Sequence, residues 1–168
     1  GLDDTAEIDV HKTDPNAADT DGDGLDDGAE ISTHQTDPVS IDTDLDGLND
    51  RNEVDLKTNP FKPDTDLDGL KDGDEVFVLG TNPLNHDSDR DGIMDGDEDT
   101  DSDGLSDADE RNTHQTNPEA RDSDLDQLSD GVEVDVVGTN PLDNDSDGDG
   151  IIDGDEDTDG DGLSDADE

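Results

Sequence analysis

The 168-residue chain carries 56 Asp and Glu against 8 Lys and Arg, for a formal net charge of −48, and only 23% of its residues are hydrophobic and 1% aromatic. So little apolar surface cannot offset roughly 1–2 kcal/mol of backbone entropy per residue, which excludes an ordinary globular core. The charge excludes nucleic acid and anionic lipid surfaces as partners. The absence of Cys excludes a disulfide framework, and no apolar run approaches the roughly 18 residues of a membrane-spanning helix. Such a chain is either disordered or held together by something that also neutralises charge, and divalent cations do both.

Gly1 to Glu7 reads as the second half of a motif that is complete for the first time at Asp19-Thr20-Asp21-Gly22-Asp23-Gly24-Leu25-Asp26-Asp27-Gly28-Ala29-Glu30. The pattern is D-x-D-x-D-G-x-x-D-x-x-E. Three carboxylates alternate along an extended stretch and converge on one point. Gly at position 6 turns the backbone, and Glu at position 12 closes the far side and can give two oxygens. That is the ligand layout of a twelve-residue calcium loop.

Complete motifs begin at Asp19, Asp42, Asp64, Asp87, Asp99, Asp122, Asp145 and Asp157. The expected metal ligands lie at positions 1, 3, 5, 9 and 12. They are Asp19, Asp21, Asp23, Asp27 and Glu30 in the first loop, and Asp42, Asp44, Asp46, Asp50 and Glu53 in the second. Asp64, Asp66, Asp68, Asp72 and Glu75 follow, then Asp87, Asp89, Asp91, Asp95 and Glu98. Next come Asp99, Asp101, Asp103, Asp107 and Glu110, and then Asp122, Asp124, Asp126, Asp130 and Glu133. The last two sets are Asp145, Asp147, Asp149, Asp153 and Glu156, and Asp157, Asp159, Asp161, Asp165 and Glu168. A disordered acidic tract has no reason to hold Gly at position 6 in seven of eight copies and Glu at position 12 in all eight. One loop departs: Gln127 stands at position 6, where a left-handed backbone costs a residue with a side chain roughly 1 kcal/mol or more. That loop is expected to be the weakest or most distorted.

Long repeats start near residues 19, 42, 64, 99 and 122, each a loop followed by a connector. Residues 87–98 and 145–156 are bare loops that run straight into the next. Residues 87–110 and 145–168 differ only at Arg90/Gly148, Met94/Ile152 and Ser102/Gly160, so the array grew by block duplication. No composition shift marks a domain boundary, and residues 1–168 read as a single continuous array cut from a longer protein, with targeting signals or anchors outside it.

The connectors carry Thr-[Asn/Asp]-Pro, as in Thr36-Asp37-Pro38, Thr58-Asn59-Pro60 and Thr116-Asn117-Pro118. Asx before Pro excludes helix there. Between position 8 and this turn, two or three helical turns have room. Gly80 and Gly138 read as helix stops, although the β-branched residues before them leave a single turn open. Position 7 is always Leu or Ile, the residue after Glu is usually β-branched, and Val39, Phe61, Leu84 and Leu142 follow a Pro. Two or three such residues per repeat make a local cluster, not a shared core. The expected fold is therefore an irregular, elongated, calcium-stabilised tandem array with short helical turns and almost no hydrophobic core.

Position 2 is always Thr or Ser, read either as a small side chain that hydrogen-bonds locally or as a row of glycosylation or contact points. His11, His34, His86 and His114 lie in connectors with no nucleophile or carboxylate arranged for catalysis, so no enzyme activity is expected. One Ca²⁺ in each of the eight loops lowers −48 only to −32, so more than one ion per long repeat, with bridging aspartates, is expected. Mg²⁺ keeps its waters, and zinc wants His or Cys.

The loops from Asp64 to Glu75 and from Asp145 to Glu156, with Gly-Thr-Asn-Pro connectors, resemble bacterial thrombospondin type 3 repeats. The mix of long and bare repeats is similar to the two repeat types of that family. The resemblance implies an extracellular or cell-surface array, from a bacterium or archaeon, wrapped around closely packed calcium ions. Lacking the cysteines of the animal family, this chain would rest on calcium for almost all its stability. The function expected is a calcium-binding rod, spacer or fibre shaft, with self-association into filaments open. The alternatives are a calcium-dependent protein-binding or adhesion module of the dockerin or EF-hand kind and a disordered calcium buffer. Pro shortly before position 1 leaves no room for the incoming helix of an EF-hand.

Overall fold

Each long repeat begins as a looped run of aspartates and ends as a short helix, and the change falls at position 9. In a computed structural model of the protein, which describes residues 2–158, 160 and 162–167, the helical segments are Asp27–Ala29 continuing as the wider-wound Glu30–His34, and Asp72–Asp74 continuing as Glu75–Leu79. The same pairing recurs at Asp107–Asp109 with Glu110–His114 and at Asp130–Val132 with Glu133–Val137. The first described residues repeat it at Asp4–Ala6 with Glu7–His11, and Asp50–Leu56 is one α-helix. Side-chain caps start several of them: Asn49 accepts from the Asn52 N–H, Ser106 from Asp109 and Ser129 from Val132.

A left-handed residue ends each segment. Gly80 and Gly138 do so, as their sequence positions suggest, but Gln35, Lys57 and Gln115 adopt φ of 62–72° in the equivalent place. The two-turn expectation therefore holds in long repeats. The bare loops form only a single tight turn each, Asp95–Asp97 and Asp153–Asp155, because their position-12 Glu returns to extended backbone. Among the described residues there is no strand, and no helix is long and apolar enough to cross a membrane. The fold is an irregular repeat array.

Among the described residues, the buried large aliphatic side chains are Leu25, Leu48, Leu70, Leu105 and Leu128, all at position 7 of long repeats. In the bare loops the equivalent Ile93 and Ile151 are about half exposed, because no two-turn helix covers them. Val39, Phe61, Leu84 and Leu142 stay outside, contrary to the expected three-residue cluster. The connector prolines Pro38, Pro83, Pro118 and Pro141 are buried instead.

Backbone packing divides the chain into two units. The first holds residues up to 67 and 71–86, and the second holds 68–70 and 87–168. In the first, the Arg51 N–H donates to Asp23 Oδ2 at 3.1 Å, and Gly73 lies so close to the Asp46 carbonyl that a Cβ there would stand 2.5 Å from it. In the second, Gly131 and Gly154 donate to Asp103 and Asp126 at 2.8 and 3.2 Å, and Gly96 sits on the Asp68 carbonyl. Repeats thus stack by placing position 10 of one loop on position 5 of an earlier one, a role for position-10 glycine that the spacing alone does not announce.

Candidate metal centres

The loop shapes itself before any ion is considered. Asp42 at position 1 accepts from the N–H groups of Leu45 and Gly47 at 2.7 and 2.9 Å. Asp23 at position 5 accepts from Leu25 at 2.6 Å, and Asp21 at position 3 from Asp23 at 3.1 Å. Asp87, Asp99, Asp122 and Asp145 repeat the first of these contacts with the N–H of position 6, and Asp91, Asp103, Asp126 and Asp149 repeat the second. Asp89, Asp101, Asp124 and Asp147 repeat the third. The turn needs positive φ at both position 4 and position 6. Position 4 stays near 64–83°, the ordinary left-handed region, and accepts Leu45, Leu67, Arg90, Ser102 and Leu125. Position 6 lies near 100°, where glycine is strongly favoured.

Gln127 adopts φ 90° and donates its N–H to Asp122 at 3.0 Å, as the glycines do. Its loop is not distorted, so the departure shows as strain within one residue. Its Nε2 also reaches Asp155 at 3.3 Å.

Position 9 is tied to position 2 of its own loop. Asp50 accepts from the N–H and the hydroxyl of Thr43 at 2.8 and 2.7 Å, and Asp27, Asp72, Asp107, Asp130 and Asp165 do the same with their own Thr or Ser. Asp95 and Asp153 accept from the N–H of Ser88 and Ser146. Several of these hydroxyls also accept from the Asx N–H of the connector, as Thr43 does from Asp37 at 2.9 Å. The local hydrogen-bonding reading of position 2 is the one these contacts support.

Two kinds of carboxylate group result. Asp19, Asp21 and Asp23 bring ligand atoms within 4.8 Å of one another, as do Asp42, Asp44 and Asp46. A second kind joins neighbouring repeats: Asp23 and Glu30 meet Asp50 of the next loop, and Asp46 and Glu53 meet Asp72, with all six side chains buried. Asp23 and Asp46 belong to both kinds. Asp64, Asp66, Asp72 and Glu75 belong to the first unit and Asp68 to the second. Asp157 accepts from Gly160 and Gly162, while Asp159, Asp161 and Glu168 lie outside the described residues.

The electrostatics of these groups ask for a cation. Glu30, Glu53, Glu110 and Glu133 are 0% exposed, and the Oε2 of each is buried without a hydrogen-bond partner. So are Asp21 Oδ2, Asp46 Oδ2, Asp101 Oδ2 and Asp124 Oδ2. Burial pushes the Glu53 carboxyl up to about 9, and Asp44, Asp46, Asp50 and Asp72 push the same way. Burial likewise raises Glu110 and Glu133 to about 8. An uncompensated buried carboxylate costs several kcal/mol or more. The Arg51–Asp55 ion pair, at 2.9 Å, is half exposed at the surface and compensates none of them. Convergent, orphaned carboxyl oxygens, which a cation would hold ionised, are the donor set of a hard divalent cation such as calcium. In the bare loops Glu98 and Glu156 are less buried and extended, so their groups are looser.

A family model described as Bacterial TSP3 repeat matches residues 19–40, 42–63, 64–86, 99–118, 122–144 and 157–168. The bare loops 87–98 and 145–156 fall between these segments. A solved structure described as "Biofilm associated protein - BSP domain" is 48% identical over 26% of this chain and 8% of its own, with a TM-score of 0.25. No curated protein matches the chain.

Proposed function

We propose that this chain, which belongs to the bacterial TSP3 repeat family of calcium-binding structural repeats, is a calcium-stiffened segment of an extracellular or cell-surface protein, acting as a rod, spacer or fibre shaft. The observation that carries the reading is the set of fully buried glutamates with orphaned oxygens, each facing aspartates from its own loop or the next. With little more than one buried leucine per long repeat among the described residues, cations in these groups take the place of a core.

One ion would sit among the carboxylates at positions 1, 3 and 5, held by Asp42, Asp44 and Asp46 and their counterparts. A second, in long repeats, would sit between Asp46, Glu53 and Asp72, sharing the position-5 aspartate. Calcium supplies positive charge and six to eight flexible oxygen contacts. The chain supplies loops pre-shaped by their own backbone hydrogen bonds. Millimolar calcium outside cells suits sites of modest affinity. Filament formation by self-association belongs to the same reading, with the shared repeat geometry as its support. The family is one of structural repeats rather than of enzymes.

Small-angle scattering and circular dichroism with calcium and after chelation test this. A stiff particle with helical signal only in calcium supports the reading. A coil in both conditions would replace it with a disordered calcium buffer.

A further inference from the structure

The connector threonine lies one full helix away from the aspartate loop, yet its hydroxyl returns to it. Thr36 Oγ1 donates to Glu30 Oε1 at 3.1 Å, Thr116 to Glu110 at 3.1 Å and Thr139 to Glu133 at 3.1 Å. Thr81 reaches Glu75 at 3.2 Å and Thr58 reaches Glu53 at 3.4 Å. Thr36 and Thr116 are 4% and 1% exposed, so these hydroxyls have no bulk water to turn to.

We propose that the threonine of each Thr-Asx-Pro connector is a positioning residue for the cation contact of the position-12 glutamate. The reading rests on calcium occupying the junction groups, as argued above. The hydroxyl takes Oε1 and fixes the last torsion of the glutamate. Oε2 is then the oxygen turned toward the aspartates, and in Glu30, Glu53, Glu110 and Glu133 it is buried and has no hydrogen-bond partner. The glutamate thus presents chiefly one oxygen, where the loop pattern alone suggests two. Groups that orient a metal ligand from behind strongly influence affinity.

The same contact ties ion binding to connector folding. Thr36 leads directly into Asp37-Pro38, and the Asp37 N–H is bonded to Thr43 of the next loop. An ion that draws Glu30 into place therefore also fixes the start of the next repeat. The bare loops have no connector, and Glu98 and Glu156 run directly into Asp99 and Asp157 with no threonine behind them. Their extended, partly exposed glutamates are the expected consequence. Two affinity classes follow, a tighter one in long repeats and a weaker one at bare loops.

The test uses the full chain with Thr36, Thr58, Thr81, Thr116 and Thr139 replaced together, once by Val and once by Ser. Val keeps the shape and loses the hydroxyl, and Ser does the reverse. Calcium calorimetry and directly excited terbium luminescence lifetimes, which count waters on the ion, are read for each. The expected result is about a ten-fold loss of affinity in the tighter class for the Val variant, with shorter lifetimes, and recovery in the Ser variant. A Val variant that binds like the parent, or a Ser variant as weak as the Val variant, overturns the proposal. If the five-fold Val variant does not fold, Thr116→Val alone is read by the carboxylate carbon shift of Glu110 on calcium addition. An unchanged response there also overturns it. If the parent chain takes up neither calcium nor terbium, the calcium reading itself has failed.

Discussion

The backbone N–H of Gly131 donates to Asp103 Oδ2, twenty-eight residues earlier in the chain, at 2.8 Å. This contact joins two repeats, and here the backbone comes too close for any side chain on the donor. A Cβ on Gly131 would collide with the Asp103 carbonyl oxygen, and backbone cannot yield as a flexible side chain can. Gly131→Ala should therefore cost about 1–3 kcal/mol of stability in the calcium-loaded chain. Gly28 occupies the same loop position with nothing within 4 Å, so Gly28→Ala should be neutral or stabilising by up to about 1 kcal/mol. Denaturant unfolding in calcium distinguishes the two. Equal effects would mean that position 10 does not carry the stacking.

Gln127 holds φ 90° where the other loops use glycine. Its loop keeps every backbone hydrogen bond expected of it, so the strain is local. Gln127→Gly should stabilise the loaded chain by about 1 kcal/mol, less whatever the 3.3 Å contact to Asp155 contributes. A rise in the midpoint of thermal unfolding checks it, and a fall would place the greater weight on the side-chain contact.

Burial holds Glu53 near 9, Glu110 and Glu133 near 8, and Glu30 and Asp46 near 7. An acid whose value is raised on folding binds more protons folded than unfolded. Without calcium, the fold is then favoured below about 4.5, the ordinary glutamate value, and is destabilised as pH climbs through 7 to 9. Calcium-depleted chain should gain helical signal on moving from pH 8 to pH 5. The loaded chain should show the opposite trend, because protons compete with calcium for the same oxygens. Circular dichroism in calcium-free buffer and calorimetry at pH 6 and pH 8 check both signs.

The loop was legible because its code is local. Asp19, Asp21 and Asp23 must converge when Gly24 turns the chain, and no knowledge of neighbouring repeats is needed. The helical segments were legible for a similar reason, bounded by position 9 and by the Asx-Pro turn. What escaped depends on stacking. Asp50 reads as a ligand of its own loop, yet it lies with Asp23 and Glu30 of the preceding one. Gly131 reads as an ordinary helix residue until Asp103 is placed beneath it. Val39 and Leu84 read as cluster members, but the buried residues beside them are the prolines Pro38 and Pro83. A signal for the stacking existed, in the Gly or Ala found at position 10 of every complete loop except the one with Arg51.

Cations filling the carboxylate groups around Asp46 are what a calcium-held array requires above all. Anomalous scattering from calcium-loaded crystals locates calcium directly. Two peaks are expected on either side of Asp46, one among Asp42, Asp44 and Asp46 and one among Asp46, Glu53 and Asp72. A folded chain in calcium with no peak at either place would contradict a calcium-held array.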